Sequence, residues 1–498
     1  MIQNGYYLFV YSEIDPVLNV LGKSKRHDHC LSVFYKNNLN INLICHLEFE
    51  RFTGFKHHNI AFFNKSDAET FINALLQPYS LSLDDFVGIY GLPGLTVDTD
   101  ISYSSLNDIE NFSYHSICHL FTSLCMDTEK LYNNVILSLS FDGGPDVLVD
   151  ENIDKKYYFC GALSYKGKIK YFPISSPGGY WLYLSDYFDM PEGTLMALAY
   201  ATKARSLENF KPLSNYYKAS DRAIFIREIN KIIERIMGYS KSDEGSLFLS
   251  ENDMRFSERE IKISMIVKVI QELSIENVFA QIDKILLEHS LISSNIMISL
   301  SGGYALNCPT NSQIMQKYHF KEQLCAPCVN DGGLSLGMGL YFFFKNCKGF
   351  DFKLKNAYYG FTDEKNIMDT INDFKHYIID VTLGTSQAAE DIQKSPIVWI
   401  DGNAEIGPRA LGHRSLLANP VNIEHKNLIN TYKQREWWRP VAPIILDEYT
   451  NEWFVNGFSS PYMLNNFRAN YTVANCIPGI LHLDNTARVQ TISYNFDN

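Results

Sequence analysis

The pattern of hydrophobic and polar positions along the chain predicts strands that alternate with helices. Short apolar runs of strand length occur at Tyr6–Tyr11, Leu31–Tyr35, Asn42–Phe49, Val135–Ser140 and Ile296–Leu300. Apolar residues spaced three and four positions apart predict helices over Asp67–Leu76, Asp221–Met237 and Glu258–Glu288. This alternation is typical of an α/β protein.

Three glycine pairs are predicted to follow strands directly. They lie in Asp142-Gly143-Gly144, Ser301-Gly302-Gly303 and Asp331-Gly332-Gly333. Glycine turns at the carboxyl ends of strands let the backbone approach an anion closely, so they favour a phosphate cradle at that edge of a sheet.

The length of the chain predicts at least two domains. It has 498 residues, of which 46% are hydrophobic and 20% charged, the profile of a globular protein. Apolar periodicity stops over Lys345–Tyr359, where lysine and asparagine dominate. We therefore predict domains at residues 1–355 and 356–498.

Charge and cysteine content narrow the functional classes. The formal net charge of −12 indicates a solvated acidic surface and argues against nucleic acid as a partner. We found neither a leader-like opening nor an apolar run of membrane-spanning length, and the ten cysteines are scattered, so we expect a cytoplasmic protein without a membrane partner. Cys325 and Cys328 form a lone C-x-x-C, more typical of buried thiols than of zinc ligands.

His115 and His119 are spaced to share one face of a helix, and could bind one metal ion. Taken alone, such a pair is more often an ordinary surface or core feature. Asp142 and Asp331 are predicted to follow strands and would complete a site of two imidazoles and two carboxylates. This mixture of ligands suits iron, manganese or zinc, and the residues do not choose among them.

Two basic clusters near the carboxyl end are candidates for anion binding. Arg409 and Arg414 lie in a run rich in glycine, and Lys433, Arg435 and Arg439 surround two tryptophans. A charge cluster is usually a solvated face. The apolar flanks and the Gly-Pro favour a recessed pocket instead, in which guanidinium groups would bind phosphate or carboxylate oxygens.

These clusters carry a family resemblance. E-I-G-P-R-A-L-G-H-R-S at 405–415, K-Q-R-E-W-W-R-P-V-A-P at 433–443 and D-N-T-A-R-V-Q-T at 484–491 resemble the carboxy-terminal domain of the O-carbamoyltransferases. These enzymes carbamoylate hydroxyl groups of nodulation factors, aminoglycosides and other secondary metabolites. S-G-G-Y-A-L-N at 301–307 and H-S-I-C-H at 115–119 are similar to motifs of the same family's amino-terminal domain.

The resemblance implies a fold and a set of site residues. The fold would be an actin/hexokinase-type ATPase-like domain followed by a smaller domain like the threonylcarbamoyl-adenylate synthases. Arg409, Lys433 and Arg488 would act on carbamoyl phosphate and ATP, with Arg414, Ser415, Arg435 and Arg439 close by. Other nucleotide contacts would come from Gly302, Gly303, Asn307, Gly332 and Gly333. The metal, reported as iron in the family, would be held by His115, His119, Asp142 and Asp331, and His27 is a candidate base.

The sequence departs from the family pattern at several points. Arg26 replaces a glycine, Phe49 interrupts an acidic pair, and Thr194 replaces a lysine. A terminal L-N-T-S-F-N motif does not occur, so the second domain is expected to lack its last segment. Either a small partner protein supplies this piece, or the domain works without it, or this half is degenerate.

The sequence therefore predicts an ATP- and Mg²⁺-dependent O-carbamoyltransferase that makes carbamoyl-adenylate and transfers its carbamoyl group to a small-molecule hydroxyl. Two alternatives stay open: a tRNA threonylcarbamoyl-type transferase, and a nucleotide-binding pseudoenzyme or subunit of a larger complex. A homodimer is also left open. The acceptor is not readable, since Tyr180, Trp181, Tyr183 and Tyr187 fit a core as well as a sugar-binding wall.

Overall fold

A computed structural model describes most of the chain. It covers residues 2–493 apart from Pro93, residues 96–110, Val147, Val149, Glu151, Ser242, Glu244, Glu251, Asn252, residues 363–366 and Leu383. Among the helices described, none is both long and apolar enough to cross a membrane.

Strands and helices alternate over the described residues. The strands are β1 (Gly5–Tyr11), β2 (Cys30–Asn37), β3 (Asn40–Glu48), β4 (Phe86–Tyr90), β5 (Val135–Ser140), β6 (Cys160–Tyr165), β7 (Lys168–Pro173), β8 (Arg205–Ser206), β9 (Ser246–Leu247), β10 (Met297–Ser301), β11 (Gln323–Leu324), β12 (Ile397–Ile400), β13 (Arg414–Leu417), β14 (Ile444–Leu446), β15 (Asn465–Arg468) and β16 (Thr486–Ile492). The helices are α1 (Pro16–Val20), α2 (Glu50–Thr53), α3 (Lys65–Leu76), α4 (Tyr114–Leu124), α5 (Thr128–Asn133), α6 (Gly178–Phe188), α7 (Glu192–Leu198), α8 (Arg222–Met237), α9 (Glu258–Glu288), α10 (Cys308–Tyr318), α11 (Leu334–Asn346), α12 (Ile367–Asp373), α13 (Ser386–Lys394), α14 (Ile423–Tyr432) and α15 (Thr450–Trp453).

Two sheets enclose a central pair of helices in the first two thirds of the chain. One sheet has the order β3-β2-β1-β4, and the other has the order β11-β10-β5-β6-β7. Helix α11 packs on β1 and β2, α4 packs on β5 and β10, and the two helices pack on each other. The arrangement is a mixed α/β fold, as predicted from the alternation of elements.

The central helices approach each other closely because α11 presents a glycine to α4. A Cβ atom on Gly337 would lie 2.0 Å from the carbonyl oxygen of Cys118, so a larger residue would force the helices apart. Every side chain of α4 is buried, and most of its residues are apolar or small. A helix that is apolar on all sides belongs in a core, and α4 therefore holds its polar residues in a low-dielectric interior.

Each strand and helix predicted from the apolar pattern is present, with ends that shift by a few residues. Helix α9 matches its predicted bounds, since Ser257 caps it and exchanges hydrogen bonds with Glu260. One expectation differs. The glycine turn at Asp331 does not directly follow a strand: β11 stops at Leu324, and Asp331–Gly333 form a 3₁₀ turn that leads into α11.

The predicted linker is packed rather than free. Helix α11 extends to Asn346, and the irregular segment beyond it buries Phe350, Phe352, Leu354 and Ala357 in the preceding core. Its backbone also forms hydrogen bonds with the start of β3, as Ile41 N donates to Asp351 O at 2.8 Å. The boundary near residue 355 stays a prediction.

The last third of the chain contains two smaller sheets. Strands β12 and β13 pair antiparallel, and β14-β16-β15 form a three-stranded sheet. Ala487 and Val489 of β16 are buried in a small core, and because side chains alternate along a strand, Arg488 between them faces the opposite side. That side meets α10: Asn466, paired with Arg488 in the sheet, donates its N–H to Ser312 at 2.9 Å.

Candidate metal centre and anion pocket

Four side chains predicted as metal ligands converge in the interior of the protein. His119 Nε2 lies 3.1 Å from His115 Nε2 and 3.1 Å from Asp331 Oδ1. His115 Nε2 lies 3.2 Å from Asp142 Oδ2. One ligand atom from each of the four residues lies within 4.8 Å of the others, and all four residues are buried. We call this group the His/Asp cluster.

Three elements bring the cluster together. The histidines stand four positions apart on α4 and therefore project from one face. Asp142 follows β5 after one residue, and Asp331 opens the 3₁₀ turn before α11. The close approach of α4 and α11 thus brings Asp331 to the histidines.

The loop after β5 carries three aspartates at intervals of four residues, each with its own contact. Asp142 faces the histidines. Asp146 pairs with the buried guanidinium of Arg26, whose Nε lies 2.8 Å away. Asp150 accepts hydrogen bonds from Tyr114 N and Ser113 Oγ, at 2.9 and 2.7 Å, at the start of α4. The loop therefore positions one ligand, Asp142, and the helix that carries the two histidines.

The donor set fits a cation. Burial disfavours a protonated imidazole, but Asp331 and Asp142 outweigh it and raise the pKa of His115 to about 9, so the site favours positive charge. Both histidines turn Nε2 towards the carboxylates, and within the described structure their buried Nδ1 atoms have no hydrogen-bond partner. Two imidazoles and two carboxylates match the mixed ligation expected from the sequence.

His27, the predicted base, lies at the edge of the cluster. Its Nε2 is 3.6 Å from Asp331 Oδ2, its Nδ1 is 3.0 Å from Asp28 Oδ2, and its side chain is 59% exposed. Asp331 raises the pKa of His27 to about 10. A protonated imidazole cannot accept a proton, so the base role requires a cation that offsets the charge of Asp331.

A second site forms where the last third of the chain meets α10. Five of the predicted cations gather there: Arg409, Lys433, Arg435, Arg439 and Arg488. Burial and the neighbouring guanidinium groups lower the pKa of Arg488 to about 9, and burial with Arg435 and Arg488 lowers the pKa of Lys433. The five side chains therefore share one region of positive potential, which we call the anion pocket.

The anion pocket holds donors without acceptors. Among the described side chains, Arg409 Nε and Arg488 Nε are buried and lack a hydrogen-bond partner. Glu436 places a carboxylate oxygen 3.6 Å from Arg439 Nη1. Buried unpaired guanidinium donors are costly, and a multiply charged anion would satisfy them.

The loop that carries Arg409 is held by a buried carboxylate. Glu405 Oε1 accepts hydrogen bonds from the backbone N–H groups of Leu411, His413 and Arg414, at 2.7, 2.8 and 2.9 Å. Arg414 and Ser415 stabilise the same loop rather than facing the other cations. Arg414 donates to the carbonyls of Asp401 and Gly402, and Ser415 Oγ accepts from Gly412 N.

One short turn separates the two sites. The 3₁₀ turn Gly303–Leu306 follows β10. At one end, Gly303 N donates to Asp142 Oδ1 at 2.8 Å, and at the other, the carbonyl of Leu306 accepts from Arg409 Nη2 at 3.4 Å. The His/Asp cluster and the anion pocket therefore border opposite ends of the same turn.

The predicted nucleotide-binding glycines and Asn307 have structural contacts of their own. Gly302 N donates to Val329 O, and the side chain of Asn307 caps α10 and bonds to Gln271 Oε1 at 2.8 Å. Gly333 packs on Cys328, and Gly332 packs on Glu48. Nucleotide contact by these residues stays a prediction.

The structure also locates three other features noted in the sequence: Thr194, the aromatic residues of α6 and the C-x-x-C pair. Thr194, at the position of the expected lysine, accepts a hydrogen bond from Arg439 Nη1 at 2.6 Å. Tyr180 and Trp181 are buried in the core, and Tyr187 is exposed, so they do not form one wall. Cys325 and Cys328 are buried and belong to none of the possible metal-binding groups among the described residues.

Comparison with known proteins identifies the region that carries the anion pocket. Residues 389–498 match the family model "Carbamoyltransferase C-terminus". Residues 389–498 of this chain are therefore similar to the carboxy-terminal region of carbamoyltransferases. The carbamoyltransferase match includes all five cations of the pocket.

Curated relatives show the same similarity over part of their length. The 3'-hydroxymethylcephem-O-carbamoyltransferase of Amycolatopsis lactamdurans is 32% identical over 204 residues, which cover 39% of this chain and 36% of the relative. Nodulation protein NolNO of Sinorhizobium fredii is 34% identical over 228 residues, which cover 43% of this chain and 33% of the relative. The matched segments thus span about a third of the length of these relatives.

Two further similarities cover more of the chain. An uncharacterized protein of Methanocaldococcus jannaschii is 25% identical over 410 residues, 76% of this chain and 70% of that protein. The crystal structure of component A of (R)-2-hydroxyglutaryl-CoA dehydratase from Acidaminococcus fermentans covers 68% of this chain and 96% of its own, at 9% identity and a TM-score of 0.31. A score this low supports no inference about this chain.

Sequence reasoning missed the residues that support the two sites. Asp146 and Asp150 escaped notice because their partners, Arg26 and Tyr114, are distant in sequence. Their spacing of four residues from Asp142 was a visible signal. Glu405 lies within the 405–415 motif, but no local pattern indicates that its buried carboxylate binds three backbone N–H groups.

Proposed function

We propose that this chain takes part in ATP-dependent carbamoyl transfer to the hydroxyl group of a small molecule. The observation that carries the proposal is the anion pocket, where the buried Nε donors of Arg409 and Arg488 lack acceptors among the described residues, one turn away from the His/Asp cluster. The names of the matched carbamoyltransferases support this reaction class.

In the proposed first step, the anion pocket binds carbamoyl phosphate and the phosphates of ATP. Arg409, Lys433 and Arg488 contact the phosphoryl oxygens and offset the charge that develops on them. Hydrolysis of carbamoyl phosphate by one water molecule gives carbamate and phosphate. The carbamate oxygen attacks the α-phosphorus of Mg²⁺-bound ATP, so that carbamoyl-adenylate forms and pyrophosphate leaves.

In the proposed second step, the acceptor hydroxyl attacks the carbamoyl carbon beside the His/Asp cluster. His115, His119, Asp142 and Asp331 would hold a metal ion, for which the family resemblance suggests iron, and such an ion polarises a carbonyl oxygen. With the charge of Asp331 offset, His27 takes the proton of the hydroxyl. AMP is the leaving group.

The wider sequence expectations enter as parts of this proposal. The two sheets around α4 and α11 would form an actin/hexokinase-type ATPase-like domain within residues 1–355. Residues 356–498 would form the adenylate-forming domain, and the protein would act in the cytoplasm.

Pyrophosphate release tests the proposal. The purified chain would be incubated with ATP, Mg²⁺ and carbamoyl phosphate in the absence of an acceptor. We expect release that depends on carbamoyl phosphate, is lost in Arg488→Ala and is retained in Arg235→Ala, an exposed arginine that pairs with Glu208. Equal release without carbamoyl phosphate would contradict adenylate formation.

A further inference from the structure

Gly407 connects the anion pocket to the metal-bearing part of the chain. Its N–H donates to Glu48 Oε2 at 3.2 Å, and its carbonyl oxygen accepts from Arg51 Nη2 at 2.9 Å. Two side chains from the amino-terminal sheet region thus bind both polar groups of one peptide residue about 360 positions away in the chain. We call Glu48 and Arg51 the Gly407 clasp.

The clasp is rigid on the amino-terminal side. Glu48 is the last residue of β3, and Arg51 lies in α2, which begins two residues later. Glu48 Oε2 lies 3.6 Å from Arg51 Nε, and the Glu48 side chain is only 9% exposed. Its other oxygen packs on Gly332, where a Cβ atom would lie 2.8 Å from Oε1. Glu48 is thereby held between Gly407 and the turn that begins with Asp331.

On the side away from the clasp, the backbone of Gly407 packs closely against that of Pro327. Its φ is +89°, and a Cβ atom there would lie 2.2 Å from the carbonyl oxygen of Pro327. Glycine is required for both reasons. Arg409 follows two residues later and reaches Leu306 O at 3.4 Å. The direction in which the Arg409 side chain enters the pocket therefore depends on the backbone position of Gly407.

We propose that Glu48 and Arg51 are positioning residues, which seat Gly407 so that Arg409 points into the anion pocket beside the His/Asp cluster. Neither residue touches the anion itself. The inference rests on the anion-binding role of Arg409 in the proposed function. Misplacement of a charged group by about 1 Å is enough to weaken binding severely, because hydrogen bonds to oxyanions depend on geometry.

Calorimetric titration with inorganic pyrophosphate tests this role directly. For Glu48→Ala we expect the Kd to rise about tenfold, while the number of sites per chain stays unchanged. Glu48→Gln keeps an oxygen that accepts from Gly407 N, and should restore most of the affinity. Glu208→Gln removes the carboxylate from a comparable arginine pair remote from the pocket, and should leave the Kd unaltered.

The number of pyrophosphate sites per chain distinguishes a positioning role of Glu48 from a loss of folded protein. A variant that merely folds less well would bind with unchanged Kd at fewer sites. If the parent binds pyrophosphate and Glu48→Ala binds it equally well, the clasp has no positioning role, although the proposed function stands. If the parent does not bind pyrophosphate, both the anion pocket and this inference fail.

A second variant reaches Glu48 from the opposite side. Gly332→Ala places a methyl group against Glu48 Oε1 and should push the carboxylate away from Gly407. We expect it to raise the Kd in the parent but to add nothing in the Glu48→Ala background, where the methyl group has room. Full additivity of the two changes would mean that Gly332 acts independently of Glu48, and would overturn the proposed contact chain.

Discussion

His119 Nε2 lies 3.1 Å from Asp331 Oδ1, although the two residues are separated by 212 positions in the chain. The contact exists because α4 and α11 pack against each other at Gly337. The His/Asp cluster is therefore a product of the central helix pair, and both its ligands and the helix contact can be tested.

His115→Ala should lower the metal content of the purified protein. The variant keeps only His119 as an imidazole ligand beside the two buried carboxylates, and the loss of one of four ligands weakens cation binding. Elemental analysis of parent and variant measures the change, and thermal unfolding with and without chelator should show a smaller difference in Tm for the variant. His289→Ala, at the turn after α9, is the control. Full metal occupancy of His115→Ala would contradict the ligand assignment.

Arg488→Met should stabilise the protein when no anion is present. The positive charge of Arg488 is repelled by Arg409, Arg435 and Arg439. Among the described residues, its Nε also lacks a hydrogen-bond acceptor. Removing it should raise the free energy of unfolding by roughly 1 kcal/mol. Urea unfolding measures this change.

The same variant should lose its response to pyrophosphate. In the parent, pyrophosphate at a hundred times its Kd should raise the free energy of unfolding by about 2.7 kcal/mol. Arg235→Met, which removes an exposed arginine, should keep the parent's response. An equal response of Arg488→Met would place the anion elsewhere.

Glu48→Gln should change how stability depends on pH. Burial, reinforced by the carboxylates of Glu50 and Asp28 against the opposing charge of Arg51, raises the pKa of Glu48 to about 7. Because the folded pKa exceeds the unfolded value, stability is present below pH ~4.5 and is lost as the pH rises through ~7. The free energy of unfolding of the variant relative to the parent should therefore rise by about 3 kcal/mol over this window. Urea unfolding at several pH values would show a flat difference if Glu48 titrated normally.

Asn307→Ala separates a capping role from a nucleotide role. Asn307 Oδ1 accepts from Thr310 N at 3.2 Å at the start of α10, so its loss should cost about 1 kcal/mol of stability. If the residue also contacts nucleotide, the affinity for ATP should fall. Asn307→Ser, which can still cap the helix, is the matched variant. Lower stability with unchanged ATP affinity would leave Asn307 a structural residue.

Gly337→Ala should destabilise the central helix pair. The added methyl group would lie 2.0 Å from Cys118 O, and overpacking of this kind typically costs about 1–3 kcal/mol. Metal content should fall in parallel, since the contact sets the distance from His119 to Asp331. Gly238→Ala, at the end of α8, controls for the added methyl group itself, because φ there is −76° and the Cβ position lies 3.4 Å from the nearest other atoms.

The sequence was sufficient to predict several of the elements and the residues that converge in the His/Asp cluster and the anion pocket. Periodicity identifies α9 and β5 because their apolar faces repeat regularly. The spacing of His115 and His119 predicts a shared face because a helix fixes it. The family motifs then indicated Asp331 and Arg488, whose long-range contacts no local pattern predicts.

Other features depend on tertiary contacts that sequence does not display. Arg414 is an arginine in the same motif as Arg409. Its guanidinium nevertheless binds the carbonyls of its own hairpin rather than facing the pocket. The segment after α11 looks like a polar linker, yet its Phe350 and Phe352 side chains are buried. In both cases the partners lie elsewhere in the chain, and residue type alone does not decide between them.

The four-residue intervals between Asp142, Asp146 and Asp150 make the loop after β5 intolerant of changes in length. One inserted or deleted residue between Asp142 and Asp150 would put at least one carboxylate out of register with its partner, whether a cluster histidine, Arg26 or the start of α4. Substitutions would impair these contacts one at a time, whereas a shift in spacing would impair several together. We therefore expect homologous chains that keep the cluster to vary in the composition of this loop but not in its number of residues.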